Sequence, residues 1–406
     1  MVMKKIMNGK KIFFPLFLIC FAAIIPNKNW IYLFISLFII LSVNWRNINI
    51  KYLNEQFQVI KYFLLILIPG LLIGTSNEFS DYLRDTLNYL FPILIFLIGY
   101  SWGGKVPFIK IYHTVIYSSF IISLLKIFTI NTVIGNIFSG HNYLLILGLF
   151  FLCIRRQDFE FALTPSYRLF LSFPMILSTI MLDQRSLFIG FFILFIFGNG
   201  FLKIKRKINL KFFVTGITTI GLLSSFLLFF LSNNVKFSES FNEIIPSNYS
   251  NNAEINIYWR GFEAYKGLIK FEKYNLLNKF LGGGFGELTP IGFTMKLKNY
   301  STATIPHFHN FYIDIIVKSG LLGIFGFMLF LLSNYKKTLL SNGLVKLNKS
   351  RMLLTNHLIA IIFFILFSTL IAGGFFGIKV SLIIVIYFGY LVRSLIVNDK
   401  YSYSKL

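Results

Sequence analysis

Residues 306–323 read Pro306-His307-Phe308-His309-Asn310-Phe311-Tyr312-Ile313-Asp314-Ile315-Ile316-Val317-Lys318-Ser319-Gly320-Leu321-Leu322-Gly323. A polar segment, 232–307, ends here and an apolar helix begins, and two of the chain's five histidines fall on the junction. The spacing predicts a membrane helix with the polar atoms of His309 and Asn310 at its mouth. Gly320 and Gly323 lie behind them, small enough for close helix packing.

The composition agrees with a lipid-embedded chain. It is 56% hydrophobic, 18% aromatic and only 13% charged, with a mean hydropathy of +0.72; a soluble core of this length is not built this way. Cys20 and Cys153 both sit inside apolar runs, which excludes a disulfide framework and a cysteine metal site. Lys4, Lys5, Lys10 and Lys11 precede an apolar run to about residue 25, but no small-residue cleavage pattern follows, so a retained first helix is expected. Further apolar runs cover 30–43, 58–74, 87–100, 107–130, 142–154, 167–182, 186–202, 210–231, 308–332, 352–371 and 378–397, twelve spans in all. Prolines 69, 92, 107, 165 and 174 blur their ends.

The charges alternate with these spans. With the N-terminus inside, the inner segments hold 24 basic residues, including Lys203, Lys205, Arg206 and Lys207. The short outer turns hold four: Lys28, Arg84, Arg185 and Lys379. That is the positive-inside pattern. The net charge of +24 is therefore a topology signal and argues against a nucleic-acid partner. The expected fold is an all-α polytopic membrane protein: a bundle of about nine helices over 1–231, a partly helical outer loop over 232–307, and about three helices and an inner tail over 308–406. The halves do not repeat, unlike a transporter built from two six-helix units.

Charged residues within lipid are functional candidates by default, since insertion costs about 2.5–3.5 kcal/mol each. Asp183-Gln184-Arg185 forms a short outer turn that aims Arg185 into the bundle. Asp314 and Lys318, four apart, are expected to form a structural ion pair. Lys126 has no partner in the sequence and takes no role. In the outer loop, Ile257, Phe262, Tyr265, Ile269, Leu276, Leu277 and Phe280 suggest amphipathic helices lying on the membrane surface. Tyr258-Trp259-Arg260 heads that stretch; the guanidinium suits a phosphate and the rings suit sugars or lipid. Gly282-Gly283-Gly284-Phe285-Gly286-Glu287 reads as a helix stop and flexible turn, not a nucleotide fingerprint. His113 and His357 read as packed polar residues. His141-Asn142 opens a helix on the outer side and is a candidate lining of the cavity at His309. His307 and His309 alone are too few ligands for zinc.

Taken together, Asp183-Gln184-Arg185-Ser186, then Arg260, then Leu281-Gly282-Gly283-Gly284-Phe285-Gly286, then His309-Asn310 followed by Gly320 and Gly323, resemble the O-antigen polymerase and O-antigen ligase superfamily of bacterial membrane glycosyltransferases. The likeness covers roughly 140–200 and 258–325. It implies a GT-C-like fold in the bacterial inner membrane, with both termini cytoplasmic and a periplasmic active site. It implies undecaprenyl-diphosphate-linked oligosaccharides as donor and acceptor, no cofactor and no metal, and a chain-length regulator as a further partner beside the membrane lipids. Carried onto this sequence, its catalytic residues are Arg185, Arg260 and His309. Asn310, His307, Tyr258, Trp259, Asp183, Glu263, Glu287, His141 and Asn142 are the substrate-binding candidates.

The residue types suit that chemistry. Two guanidiniums can stabilise a departing diphosphate without a metal, and an imidazole can accept the proton of an attacking sugar hydroxyl. In the alternative arrangement His309 binds diphosphate and Asp183, Glu263 or Glu287 is the base. A polymerase joining repeat units is the favoured activity. Transfer of finished chains to a lipid A core sugar, capsule polymerisation, and a flippase in which these residues are structural are the rival readings.

Overall fold

The computed structural model describes residues 50–129, 142–154, 159, 163–181, 185–199, 245–249, 251–297, 300–343, 349–372, 374–376 and 378–397. The expected spans before residue 50 and over 210–231 lie outside these residues. Thirteen helices and one hairpin are described. The helices are α1 (Ile50–Ile60), α2 (Leu64–Gly74), α3 (Phe79–Trp102), α4 (Phe108–Thr129), α5 (Asn142–Leu152), α6 (Pro165–Met181) and α7 (Arg185–Gly198). After the outer loop's α8 (Asn252–Ile257), α9 (Trp259–Glu272) and α10 (Leu276–Leu281) come α11 (Phe311–Gly343), α12 (Lys349–Ala372) and α13 (Ile378–Ile396).

Among the described residues, four stretches are long and apolar enough to cross a membrane: Asn54–Gly74, Phe108–Thr129, Phe311–Thr338 and Lys349–Ile371. The described fold is thus mostly helical with little sheet. Pro69, Pro92 and Pro174 lie inside α2, α3 and α6 rather than ending them, as membrane helices tolerate where neighbours satisfy the freed carbonyls. Pro165 takes the first position of α6, where its missing N–H costs nothing. α3 and α13 approach backbone to backbone, Gly99 against the Ile386 carbonyl and Gly389 against the Phe96 carbonyl; any larger side chain would hold the helices apart.

The outer loop has content the sequence reading lacked. β1 (Thr289–Leu297) and β2 (Tyr300–Ile305) pair antiparallel, with an irregularity between Pro290 and Met295. They share a small core with α9 and the start of α11: Phe262, Ala264, Ile291, Met295, Ile305, Phe308, Ile313 and Val317. Phe262 belongs to this core, not to a lipid-facing stripe, while Leu276, Leu277 and Phe280 on α10 are exposed. Ile257, at the other end of the expected amphipathic pattern, is exposed as well, so the pattern turns inward at Phe262.

The role expected for Gly320 needs correction. It does not provide a smooth packing surface; it breaks α11, with φ 64° and ψ −164°, a region open essentially to glycine alone. The break releases the Val317 and Lys318 carbonyls, which accept from the Gly283 N–H at 2.8 Å and the Gly284 N–H at 3.0 Å. A Cβ at Gly320 would run into the Phe280 carbonyl and one at Gly284 into the backbone of Gly74. The glycine-rich turn stops α10 at Gly282 as expected, and beyond that it is wedged between α2 and α11. Phe285 in its middle is fully buried and stacks on Tyr89 with centroids 4.7 Å apart. Close packing on α2 falls instead to Gly326, against Tyr62 and Leu65. Gly320→Ala should destabilise by about 1–3 kcal/mol from strain alone, seen as a lower apparent melting temperature of the purified protein; an unchanged transition would contradict this account of the break.

Candidate active site

Asn310 begins α11: its carbonyl accepts from the Ile313 N–H and its Oδ1 from the Tyr312 N–H, both at 3.1 Å. This is the side-chain capping that asparagine supplies at helix starts. It holds the preceding residue, His309, at the rim, with 47% of its side chain exposed against 4% for Glu263. His309 Nδ1 lies 2.7 Å from Glu263 Oε2, and the His309 backbone N–H donates to the same oxygen at 3.2 Å. A carboxylate only accepts, so Nδ1 carries the proton and Nε2 is left with its lone pair facing outward.

Glu263 lies three residues after Arg260 on α9, a spacing that puts both on one helix face, about 5–6 Å apart at Cβ. The first turn of α9 therefore carries Arg260 on the same face as the His309–Glu263 pair. Tyr143, in the first turn of α5, shares a hydrogen bond with Ser368 and meets Phe364 of α12 at 4.9 Å. Tyr312 donates to the Leu366 carbonyl at 2.9 Å, so the start of α11 meets the same end of α12.

Arg185 is described by its backbone, which opens α7. Gly190 abuts Phe364, while Gly198 abuts Phe150, whose ring meets His357. α7 and α12 are thus antiparallel, and the start of α7 lies at the Ser368 end of α12, beside Tyr143. His141 and Asp183 lie outside the described residues.

Other candidates have defined partners. Tyr258 stacks on Tyr249 at 5.1 Å; Trp259 packs on Phe262. Glu287 pairs with Lys270, ten residues along α9 from Arg260 and so about 15 Å down the helix; the fold does not bring it to His309. Tyr274 nearby donates to the Val317 carbonyl at 3.2 Å, and burial pushes its phenol well up, which keeps it a donor. His357 is buried, with Nδ1 2.5 Å from the Tyr387 hydroxyl, as expected of a packed polar residue.

His307 turns away from His309 into a buried ionic cluster. Its Nε2 is 3.0 Å from Asp85 Oδ1 and its Nδ1 3.4 Å from Asp314 Oδ1. Lys318 reaches Asp314 at 3.7 Å, the expected pair, but its closer ion partner is Asp85. Asp85 Oδ2 also accepts from the Gly286 N–H at 2.7 Å, and Tyr89 donates to Asp314 Oδ2 at 2.8 Å. The cluster ties α3, the glycine wedge and the first piece of α11 together directly behind the His309 corner. Sequence reasoning missed Asp85, which sits 233 residues from Lys318. It also missed the Lys126 ammonium donating to Asn142 Oδ1, although a lysine deep in an apolar run was itself the signal.

The corner belongs to a segment with a recognisable relationship. Residues 170–328 match the O-antigen ligase family. The O-antigen ligase segment takes in α7, the outer loop and the first part of α11, and so holds Arg185, Arg260, Glu263, His307 and His309. The match supports the O-antigen ligase and polymerase superfamily, and the apolar helices fit a membrane protein. No curated protein matches the chain.

Proposed function

We propose that the protein is an O-antigen polymerase that joins undecaprenyl-diphosphate-linked repeat units at the periplasmic face of the inner membrane. The observation that carries this is His309, held by Glu263 one helical turn from Arg260, inside the segment matched to the O-antigen ligase family. In the proposed reaction an acceptor hydroxyl attacks the anomeric carbon of the donor, with inversion. A carbon–oxygen bond forms, the bond to the diphosphate oxygen breaks, and the hydroxyl proton passes to His309 Nε2. Glu263 orients the ring through Nδ1 and stabilises the imidazolium. Arg260, with Arg185, takes up the charge that grows on the leaving diphosphate. The twelve-span layout, cytoplasmic termini and outer loop over 232–307 are part of this reading, supported by the distribution of basic residues.

Ligation of finished chains to a lipid A core sugar is the second reading, favoured by the description of the matched family. A gel of surface polysaccharide from a deletion strain separates them. Caps one repeat long are expected; complete loss of polysaccharide with long carrier-linked chains accumulating would establish the ligase instead. Restoring the gene as Arg260→Ala should reduce transfer roughly 10- to 100-fold, the worth of one charge-assisted contact, with the protein inserted normally. Wild-type polymer from that variant would contradict the role of Arg260.

A further inference from the structure

Lys126 lies one turn from the end of α4 and is buried. Its ammonium donates to Oδ1 of Asn142, the first residue of α5. Among the described residues no carboxylate stands within ion-pair distance of it, and the sequence from 130 to 141 contains no Asp or Glu. A neutral amide does not compensate a lysine charge buried in an apolar helix. Among the described residues, only a dipole steadies this cation.

Its location is informative. Lys126 meets Asn142 while Ser119, earlier on α4, meets Gly148, later on α5, so α4 and α5 run antiparallel. Tyr112 accepts from the Leu163 N–H at 3.4 Å, just before α6, and Phe120 meets Phe170 at 5.8 Å, so α4 and α6 run parallel. Lys126, the start of α5 and the end of α6 therefore share one end of the bundle. Residue 143, next to the partner of Lys126, meets Phe364 of α12 at 4.9 Å, two residues from the Leu366 carbonyl that accepts from Tyr312 at the start of α11. The start of α5 thus joins Lys126 to the end of the bundle that holds the His309 corner.

We propose that Lys126 is a further cation of the donor site, binding the diphosphate of the lipid carrier together with Arg260, while Asn142 holds the ammonium in place. The proposal rests on the donor reading given above. Two positive groups at one end of the bundle suit a diphosphate, whose charge is spread over two phosphoryl groups, better than an uncharged sugar.

The test is a titration of the full-length protein in nanodiscs with undecaprenyl diphosphate and, as control, undecaprenol, read by native mass spectrometry. Lys126→Met should weaken diphosphate binding roughly 10- to 100-fold, Lys126→Arg should retain most of it, and undecaprenol binding should not change. Asn142→Asp keeps the lysine but sets a carboxylate on it, and should also weaken diphosphate binding; this variant decides the matter where Lys126→Met fails to insert. If Lys126→Met and Asn142→Asp bind as wild type while Arg260→Ala does not, Lys126 is structural and the donor reading survives alone. If Arg260→Ala also binds as wild type, the donor reading fails and this proposal with it. Recovery of diphosphate binding in Lys126→Met by added Asp183→Asn would make Asp183 the counter-ion and overturn the proposal.

Discussion

His309→Ala is expected to lower glycosyl transfer by about 10²–10⁴-fold, the usual contribution of a positioned proton acceptor, without loss of folded protein. The side chain is about half exposed, so its removal opens no cavity, and the Asn310 cap that starts α11 does not depend on the imidazole. Glu263 keeps the His309 backbone N–H as a donor. A partial loss is expected for Glu263→Gln, because the amide oxygen can still accept from Nδ1–H but no longer stabilises an imidazolium. The check is initial rate with purified, monodisperse protein and a lipid-diphosphate-linked repeat unit. A His309→Ala rate within a few-fold of wild type would remove His309 as the base.

The second large effect concerns stability. Lys318→Met should destabilise the protein by about 3–5 kcal/mol, as removal of one partner from a buried ionic group generally does. Asp85 and Asp314, both fully buried, would then face one another with only His307 between them and Arg84 on the Asp85 side to offset them, and the Gly286 contact to Asp85 would loosen with them. Combining Lys318→Met with Asp85→Asn should recover part of the loss, since the two changes act on one contact and are not additive. Apparent melting temperature and the amount of inserted protein give the readout. Equal melting of wild type and Lys318→Met would show that the cluster does not hold the corner.

What the sequence revealed and what it hid follow from range. Apolar runs mark helices because lipid demands them, so α4, α5, α7 and α12 lie close to their expected bounds. α3 begins eight residues before its expected start of 87 because Asp81, Arg84 and Asp85 interrupt the hydropathy, yet these polar residues turn inward to Lys318 and His307. The i,i+4 spacing of Asp314 and Lys318 was legible; Asp85, the closer partner, was not, since no local pattern links residues so far apart. Glu263 was legible as one of three carboxylates, and only the fold sets it against His309 while leaving Glu287 with Lys270. Glycine at 282, 284 and 286 announced a helix end. That these residues wedge between α2 and a broken α11 depends on backbone approach, which a sequence pattern does not carry. The hairpin escaped because Pro290 and Gly292 disturb the alternation of its first strand.

In the proposed reaction Arg185, Arg260 and His309 converge on one diphosphate at the mouth of the bundle. Electron cryomicroscopy of the protein with bound undecaprenyl diphosphate tests it most directly. The account predicts phosphate density within hydrogen-bond reach of both guanidiniums, with His309 Nε2 facing the adjoining space where the acceptor hydroxyl must come. Density at the basic, cytoplasmic side, or phosphate contacts that include neither Arg260 nor Arg185, would contradict it.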